Sequence, residues 1–351
     1  MKLAQCRRIT VVVLLPILLL SCSPSVYREV YPTLLDGKYD SEFPYKGCSK
    51  QLEEIGATVK MLTSIAYYKS FPFSETEKTQ LSNITPEILR GKSREAVYIN
   101  NSATGTATVV YYQDRRIALL TCAHVVAFPE TLVSYFIGSD RHSTGFVRTI
   151  AIKEKQSNFV AVLPEGGGLE ILAIDESADI AILGRRFETE PSMKIPVFSY
   201  PLGRARELEW GTFVYLFGFP SGYKMVTKGI VSSPNRGKYG SFLVDAVFSR
   251  GVSGGIVLAI RDGVPNFELV GIVKLVSAHS EYVLTPGKDN GGIEYDPGVP
   301  YTGDIYVERK TGIDYGITQS ISIEAIRDFV QQHKEMLAEK GYYLTMFLGP
   351  T

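Results

Sequence analysis

The chain has 351 residues, in which 37 Lys and Arg balance 37 Asp and Glu, and 45% of the residues are hydrophobic. This length suits one two-domain core with an additional segment. The balanced charge, without a basic stripe, gives no indication of a nucleic-acid partner. No internal repeat and no zinc-type cysteine spacing is present in the sequence, so neither a metal nor another cofactor is implied.

The first 21 residues have the pattern of a signal peptide. Lys2, Arg7 and Arg8 precede an apolar run from Ile9 to Leu20. Such a run is shorter than a bilayer requires. Removal of this segment would take away three cations and no acid, so the mature chain would carry a net charge of −3.

The end of this segment, Leu19-Leu20-Ser21-Cys22, resembles the bacterial lipobox. In that motif the cysteine is lipidated and becomes the mature N-terminus, and several acyl chains on one cysteine give stable anchoring. We therefore expect a lipid-anchored protein of the bacterial cell envelope, on the periplasmic or surface face. The alternative is ordinary signal cleavage nearby, with Cys22 removed or idle.

Two segments precede the main domain. Residues 22–50 are rich in Pro, Tyr, Ser and Gly and are expected to form a tether. Residues 51–95 are expected to form a small helical extension, because Gln51–Ser64 has helical apolar spacing and Thr85-Pro86-Glu87 begins a second helix. This extension either packs on the main domain or serves as a regulatory or partner-binding element.

From Ala96 to Leu275, short β-branched and aromatic runs alternate with Gly, Asn, Asp or Pro, which favours antiparallel barrels over a βαβ sheet. One apolar run, Ile117–Val126, delivers His124 at its end. Another begins directly after Asp179. Asp175 is a competing acid, but its polar neighbours indicate a loop residue.

The segment Arg250–Gly255 contains a serine, Ser253, with glycine two residues before and two residues after it. The N–H groups of Gly251 and Ser253 are the expected donors to a tetrahedral oxyanion. The same spacing describes a plain Gly/Ser turn or the nucleophile elbow of an α/β-hydrolase esterase. The elbow needs a helix after the serine, whereas Ile256–Ile260 predicts a strand ending in a hairpin.

The chain order His124, Asp179, Ser253 is that of the chymotrypsin-type triad. A serine hydroxyl needs a base within hydrogen-bond reach, and a histidine can take its proton and return it to the leaving group. A buried aspartate would orient the imidazole. Cys122 lies on the strand rather than at a turn, which disfavours a cysteine nucleophile and predicts a free core thiol.

At this point the sequence resembles the HtrA/Deg branch of trypsin-like serine proteases. The resemblance covers about residues 95–335 and rests on Thr104–Val110, Thr121–Val126, Gly218–Gly222, Thr227–Ser232, Asp245-Ala246, Val270–Val273 and Tyr315–Ile317. It implies an all-β fold of two antiparallel six-stranded barrels, at about 96–205 and 206–320. A closing helix at about 321–335 and a tail at 336–351 would follow.

The sequence also departs from this family. Val252 stands where a polar residue is usual, and Arg250 where proline is common. Too few residues follow the closing helix for the family's PDZ module, so we expect none. An insertion at about 279–311 is expected to be a surface loop, with a lid or binding loop as the alternative.

The resemblance places Val247, six residues before the nucleophile, at the base of the primary specificity pocket. An apolar residue there offers no partner to Lys or Arg, so cleavage after small or medium apolar residues is expected. Gly271–Leu275 is positioned to pair with an extended polypeptide substrate. We therefore predict a serine endopeptidase, and the alternative is a catalytically silent relative that binds extended peptides. The oligomeric state is not readable from the sequence.

Overall fold

The structure is a computed structural model that describes residues 35–138, 142–237, 239–246, 249–286, 298–300 and 302–348. Within these ranges, the side chains of residues 275–280, 286 and 311–315 are not described. The predicted signal peptide, the predicted lipidation site Cys22 and the predicted pocket residue Val247 lie outside the described residues.

The first barrel is a closed ring of six antiparallel strands, in the order β1-β2-β3-β7-β6-β5 and back to β1, with β4 added to the outer side of β5. The strands are β1 Val59–Pro72, β2 Val97–Gln113, β3 Arg116–Thr121, β4 Thr131–Ile137, β5 Ser143–Phe159, β6 Gly168–Asp175 and β7 Ile180–Arg186.

The second barrel is also closed and antiparallel, in the order β10-β13-β12-β11-β8-β9. Its strands are β8 Phe213–Gly218, β9 Met225–Arg236, β10 Ser241–Val244, β11 Ile256–Ile260, β12 Phe267–Pro286 and β13 Ile305–Ser322. The predicted all-β fold of two six-stranded barrels is confirmed. A strand, β11, follows the Ser253 turn, and this excludes the α/β-hydrolase elbow because that motif needs a helix there.

The described helices are short and lie outside the barrels. They are α1 Ser49–Thr58, α2 Pro86–Gly91, α3 Ile323–Gln332, α4 Lys334–Glu339 and α5 Thr345–Leu348. The predicted start of α2 is confirmed, since the Thr85 hydroxyl accepts a hydrogen bond from the Ile88 N–H. No helix in the described ranges is long and apolar enough to cross a membrane.

The helical prediction for Gln51–Ser64 is wrong beyond Thr58. The chain there enters β1, which pairs with β2 and β5 and closes the first barrel. The barrel therefore begins at Val59, and only α1, α2 and the connections around them stand outside it. Leu62, Ser64 and Ala66 are fully buried on the inner face of β1.

The N-terminal segment around Tyr39 and Asp40 is bound to the second barrel. The Asp40 N–H donates to the Ile260 carbonyl at 2.9 Å, and the Asp40 carbonyl accepts from the Phe213 N–H at 2.8 Å. The Tyr39 hydroxyl donates to Glu268 at 2.6 Å. The chain is therefore attached to the second barrel well before the predicted tether ends at residue 50.

The two ends of the predicted insertion, 279–286 and 305–311, are strand rather than loop. Strands β12 and β13 remain paired from Gly271↔Ser322 out to Pro286↔Ile305, and so form a two-stranded ribbon beyond the barrel. The predicted tail is also ordered by packing. Leu337 and Leu344 are buried in the main hydrophobic core.

Candidate active site

His124 follows the buried strand β3 and lies in a single 3-10 turn, Ala123–Val125. Its neighbours Ala123 and Val125 are 1% exposed and anchor the turn in the core. The His124 side chain itself is 45% exposed. The apolar strand thus fixes the backbone, while the imidazole remains accessible at the surface.

Asp179 approaches this imidazole from the turn before β7. Its carboxylate is 7% exposed, and both oxygens lie beside the His124 Nδ1, Oδ1 at 3.0 Å and Oδ2 at 2.9 Å. Oδ1 also accepts the His124 backbone N–H at 2.9 Å. These contacts require a proton on Nδ1, so the neutral ring offers a lone pair at Nε2.

Asp179 also has a left-handed backbone, with φ of +60°. Aspartate tolerates this region better than most residues do, and such geometry is common at functional sites. The competing acid Asp175 is the last residue of β6, just before the turn. Its Oδ1 accepts hydrogen bonds from the N–H groups of Ser177 and Ala178, which lowers its pKa, and from the Ser177 hydroxyl. The structure therefore brings Asp179, and not Asp175, to the histidine.

Ser253 lies in a tight turn whose conformation depends on two glycines. Gly251 has φ of +103°, and Gly254 has φ of +85°. A Cβ at Gly251 would lie 2.4 Å from the Phe219 carbonyl oxygen. A Cβ at Gly254 would lie 2.1 Å from the Thr106 carbonyl oxygen. Both positions therefore require glycine for conformation and for space.

The first barrel holds this turn through Thr106, a residue that the sequence analysis did not single out. The Thr106 N–H donates to the Ser253 carbonyl at 2.8 Å. Its hydroxyl donates to the Gly251 carbonyl at 2.8 Å and accepts the Phe219 N–H at 3.0 Å. The available signal was the position of Thr106 within the Thr-Gly-Thr element that carries part of the family resemblance.

The N–H groups of Gly251 and Ser253 have no hydrogen-bond acceptor among the described residues. Free donors on a glycine-rich turn can bind a developing oxyanion. Within the same ranges the Ser253 hydroxyl makes no hydrogen bond with His124. Such contacts are often long in a free enzyme and shorten when the substrate binds.

Cys122 lies close to the His124 and Asp179 side chains, and the ligand atoms of these three residues lie within 4.8 Å of one another. Its thiol is fully buried and donates to the Val273 carbonyl at 3.2 Å. Burial raises its pKa well above the ordinary value, which keeps the sulfur protonated and disfavours both thiolate attack and metal ligation. Cys122 and Cys48 are both free thiols.

Residues flanking Ser253 that differ from the family pattern also have structural partners. Val252 is 1% exposed and packs closely against Gly218. A Cβ added at Gly218 would lie 2.7 Å from the Val252 Cγ2. The Arg250 carbonyl accepts the Ser221 N–H at 2.8 Å. The turn is therefore held by apolar packing and by a backbone hydrogen bond.

Comparison with known proteins bears on this arrangement. Residues 105–272 match the family model described as a trypsin-like peptidase domain. This part of the chain, slightly less than half of it, is therefore similar to trypsin-like peptidase domains. The similarity supports assignment of the chain as a protease of the serine type. The matched residues include His124, Asp179 and Ser253.

Among solved structures, the chain matches one entitled "Crystal structure of Deg5", with 18% sequence identity and a TM-score of 0.35. The match covers 65% of this chain and 85% of that one. No curated protein matches the chain by sequence.

Proposed function

We propose that the trypsin-like peptidase domain is a serine endopeptidase that uses His124, Asp179 and Ser253. The observation that carries this proposal is the buried Asp179 carboxylate, which contacts the His124 ring and backbone at 2.9–3.0 Å. This arrangement fixes the tautomer that a general base requires. The acyl-enzyme chemistry of the family follows from such a base beside a serine.

In this mechanism the Ser253 Oγ attacks the carbonyl carbon of the scissile peptide bond while its proton passes to the His124 Nε2. The oxyanion accepts hydrogen bonds from the N–H groups of Gly251 and Ser253. His124 then gives the proton to the leaving amine, and the acyl group remains on Ser253. Water, activated by His124, hydrolyses this ester and restores the serine. Asp179 remains ionised and stabilises the imidazolium.

A fluorophosphonate probe tests the assignment, because it reacts covalently only with an activated serine. The purified wild-type chain should be labelled, and Ser253→Ala or His124→Ala should abolish labelling. Ser249→Ala, a serine four residues away in the same loop, is the matched control and should keep it. Labelling that persists in Ser253→Ala would contradict the proposal. A wild-type chain that is never labelled would favour the silent, peptide-binding alternative.

We also propose that cleavage occurs after small or medium apolar residues. The support is the apolar Val247 at the position that forms the pocket base in the resembling family. Profiling with a peptide library should show this preference, and Val247→Asp should shift it toward Lys and Arg. A wild-type preference for basic residues would contradict the assignment.

A separate proposal concerns location: Cys22 carries a lipid that anchors the protein to the cell-envelope membrane. The support is the signal-like N-terminus followed by Leu-Leu-Ser-Cys. Cys22→Ala should move the protein from the membrane fraction to the soluble fraction, whereas Cys48→Ala should not. If Cys22→Ala remains bound to the membrane, the anchor lies elsewhere.

A further inference from the structure

A cavity of about 360 Å³ opens between the loop that carries Asp179 and the outer face of the second barrel. Ser177 and Ala178, the two residues before Asp179, line one side. The opposite side comes from strands β10, β12 and β13 and from the first turn of α3. Its size is within the range of small-ligand pockets, about 300–1,000 Å³.

The charged side chains among the described residues that line this cavity are all positive. Lys274 and Arg236 line it, and no aspartate or glutamate is among its described lining residues. In the described ranges neither cation forms an ion pair. Lys274 is partly buried. An anion that entered the cavity would therefore meet two cationic side chains that have no ion-pair partner among the described residues.

The acids nearest to the cavity along the chain are engaged elsewhere. Glu324, in the first turn of α3, accepts the Arg206 backbone N–H through Oε1 at 3.2 Å, while its buried Oε2 has no hydrogen-bond partner among the described residues. Asp175 accepts hydrogen bonds from its own turn, and Asp179 is bound to His124. None of these carboxylates lies within ion-pair distance of Lys274 or Arg236.

The rest of the lining combines polar and apolar groups. Gln319 adds an amide, and the first turn of α3, which carries the partial positive charge of a helix start, adds Ser322 and Ala325. Leu243 and Ile321 supply apolar walls. This combination fits an anionic head group joined to a short hydrocarbon body.

We propose that this cavity is a binding site for a small organic anion, a carboxylate or a phosphate monoester with a short apolar body. Lys274 and Arg236 pair with the anionic head, and Leu243 and Ile321 contact the hydrocarbon. Ser253 is not among the lining residues, whereas Lys274 belongs to the Gly271–Leu275 segment that is expected to pair with substrate. The occupant also touches Ser177 and Ala178 in the loop that places Asp179.

Isothermal titration of the full purified chain tests this site with three probes of equal chain length: hexanoate, hexyl phosphate and hexanol. At least one anion should bind, and its identity shows which head group the site prefers. Hexanol should bind at least about tenfold more weakly, because a charge-assisted hydrogen bond is lost. Equal binding of hexanol and the anions, or no binding of either anion, would overturn the proposal.

Substitutions of the two lining cations show whether the anion binds in this cavity. Lys274→Gln and Arg236→Gln should each weaken the anion by about tenfold, while Lys274→Arg should retain most of the affinity. Lys334→Gln, which removes an exposed cation on α4, is the matched control and should change nothing. Arg236 is exposed, so its variant tests the site even if Lys274→Gln fails to fold. Unchanged affinity in both glutamine variants would place the anion elsewhere and refute the assignment. Labelling of Ser253 is measured separately, so the two proposals fail independently.

Discussion

Asp179→Asn is the substitution that separates the proposed triad most clearly from a structural ion pair. The carboxylate faces the His124 Nδ1 with both oxygens, at 3.0 and 2.9 Å, and one oxygen also holds the His124 backbone N–H. An amide can keep the backbone hydrogen bond through its oxygen. Its NH₂ group then faces Nδ1 and favours the tautomer with the proton on Nε2. That ring can no longer accept the proton of Ser253.

The expected loss follows from this change of tautomer. Removing the correct tautomer from a triad of this type lowers kcat by about 10⁴, which corresponds to about 5.4 kcal/mol of activation free energy. The rate of fluorophosphonate labelling and the hydrolysis of a fluorescent protein substrate should both fall by this order. The thermal unfolding temperature should change far less than the activity, because asparagine is isosteric with aspartate.

Asp175→Asn is the matched control, since it alters an acid four residues earlier in the same turn. Asp175 contacts only its own loop in the hydrogen bonds described, so the labelling rate should remain within about tenfold of the wild type. If Asp179→Asn labels within tenfold of the wild type, Asp179 does not orient the general base. If Asp175→Asn is the variant that loses activity, the acid has been wrongly assigned.

Three further outcomes are expected. Gly251→Ala should reduce kcat by about 10²–10³. The added Cβ would lie 2.4 Å from the Phe219 carbonyl oxygen, and the resulting backbone shift would turn the residue-251 N–H away from the oxyanion. Near-normal turnover would contradict this. Burial raises the pKa of Asp40 to about 6, so the native state binds its proton more tightly than the unfolded state. The resulting contribution to the free energy of unfolding is complete below about pH 4 and is lost as the pH rises through 6, and denaturant titrations of Asp40→Asn should lack this change. Leu337→Ala, at a fully buried position, should lower the free energy of unfolding by about 2–5 kcal/mol, whereas a loss below 1 kcal/mol would show that the C-terminal segment is loosely packed.

The surroundings of the three proposed site residues could be inferred from their neighbours in the sequence. His124, Asp179 and Ser253 each adjoin a short apolar run, and the runs Ile117–Thr121, Ile180–Gly184 and Ile256–Ile260 are buried in the barrels. The partners of Ser253 were harder to find. Thr106 acts through its backbone and hydroxyl on a turn nearly 150 residues away, a relation that only the closed barrels create.

Strand β1 was missed for a different reason. Its inner face carries Leu62, Ser64, Ala66 and Tyr68, all fully buried. Because Ser64 is polar and Ala66 is small, the alternation of large apolar and polar residues that would predict a strand is interrupted. The β12–β13 ribbon was missed because both its faces meet solvent. Tyr306 and Val307, consecutive residues on opposite faces of β13, are 56% and 51% exposed, and exposed strands carry no burial pattern.

If Cys22 carries the proposed lipid, attachment of the N-terminal segment to the second barrel limits how far the domain can lie from the membrane. From a lipid on Cys22 to Leu35, where the described chain begins, there are about 13 residues, which span at most about 45 Å when fully extended. The next residues are already held by β-bridge and hydrogen bonds at Tyr39 and Asp40. A peptidase domain anchored in this way would act only on polypeptides that come within the combined reach of this segment and of the domain itself. Lengthening the segment between Cys22 and Leu35 would extend the range of accessible substrates without altering the catalytic site.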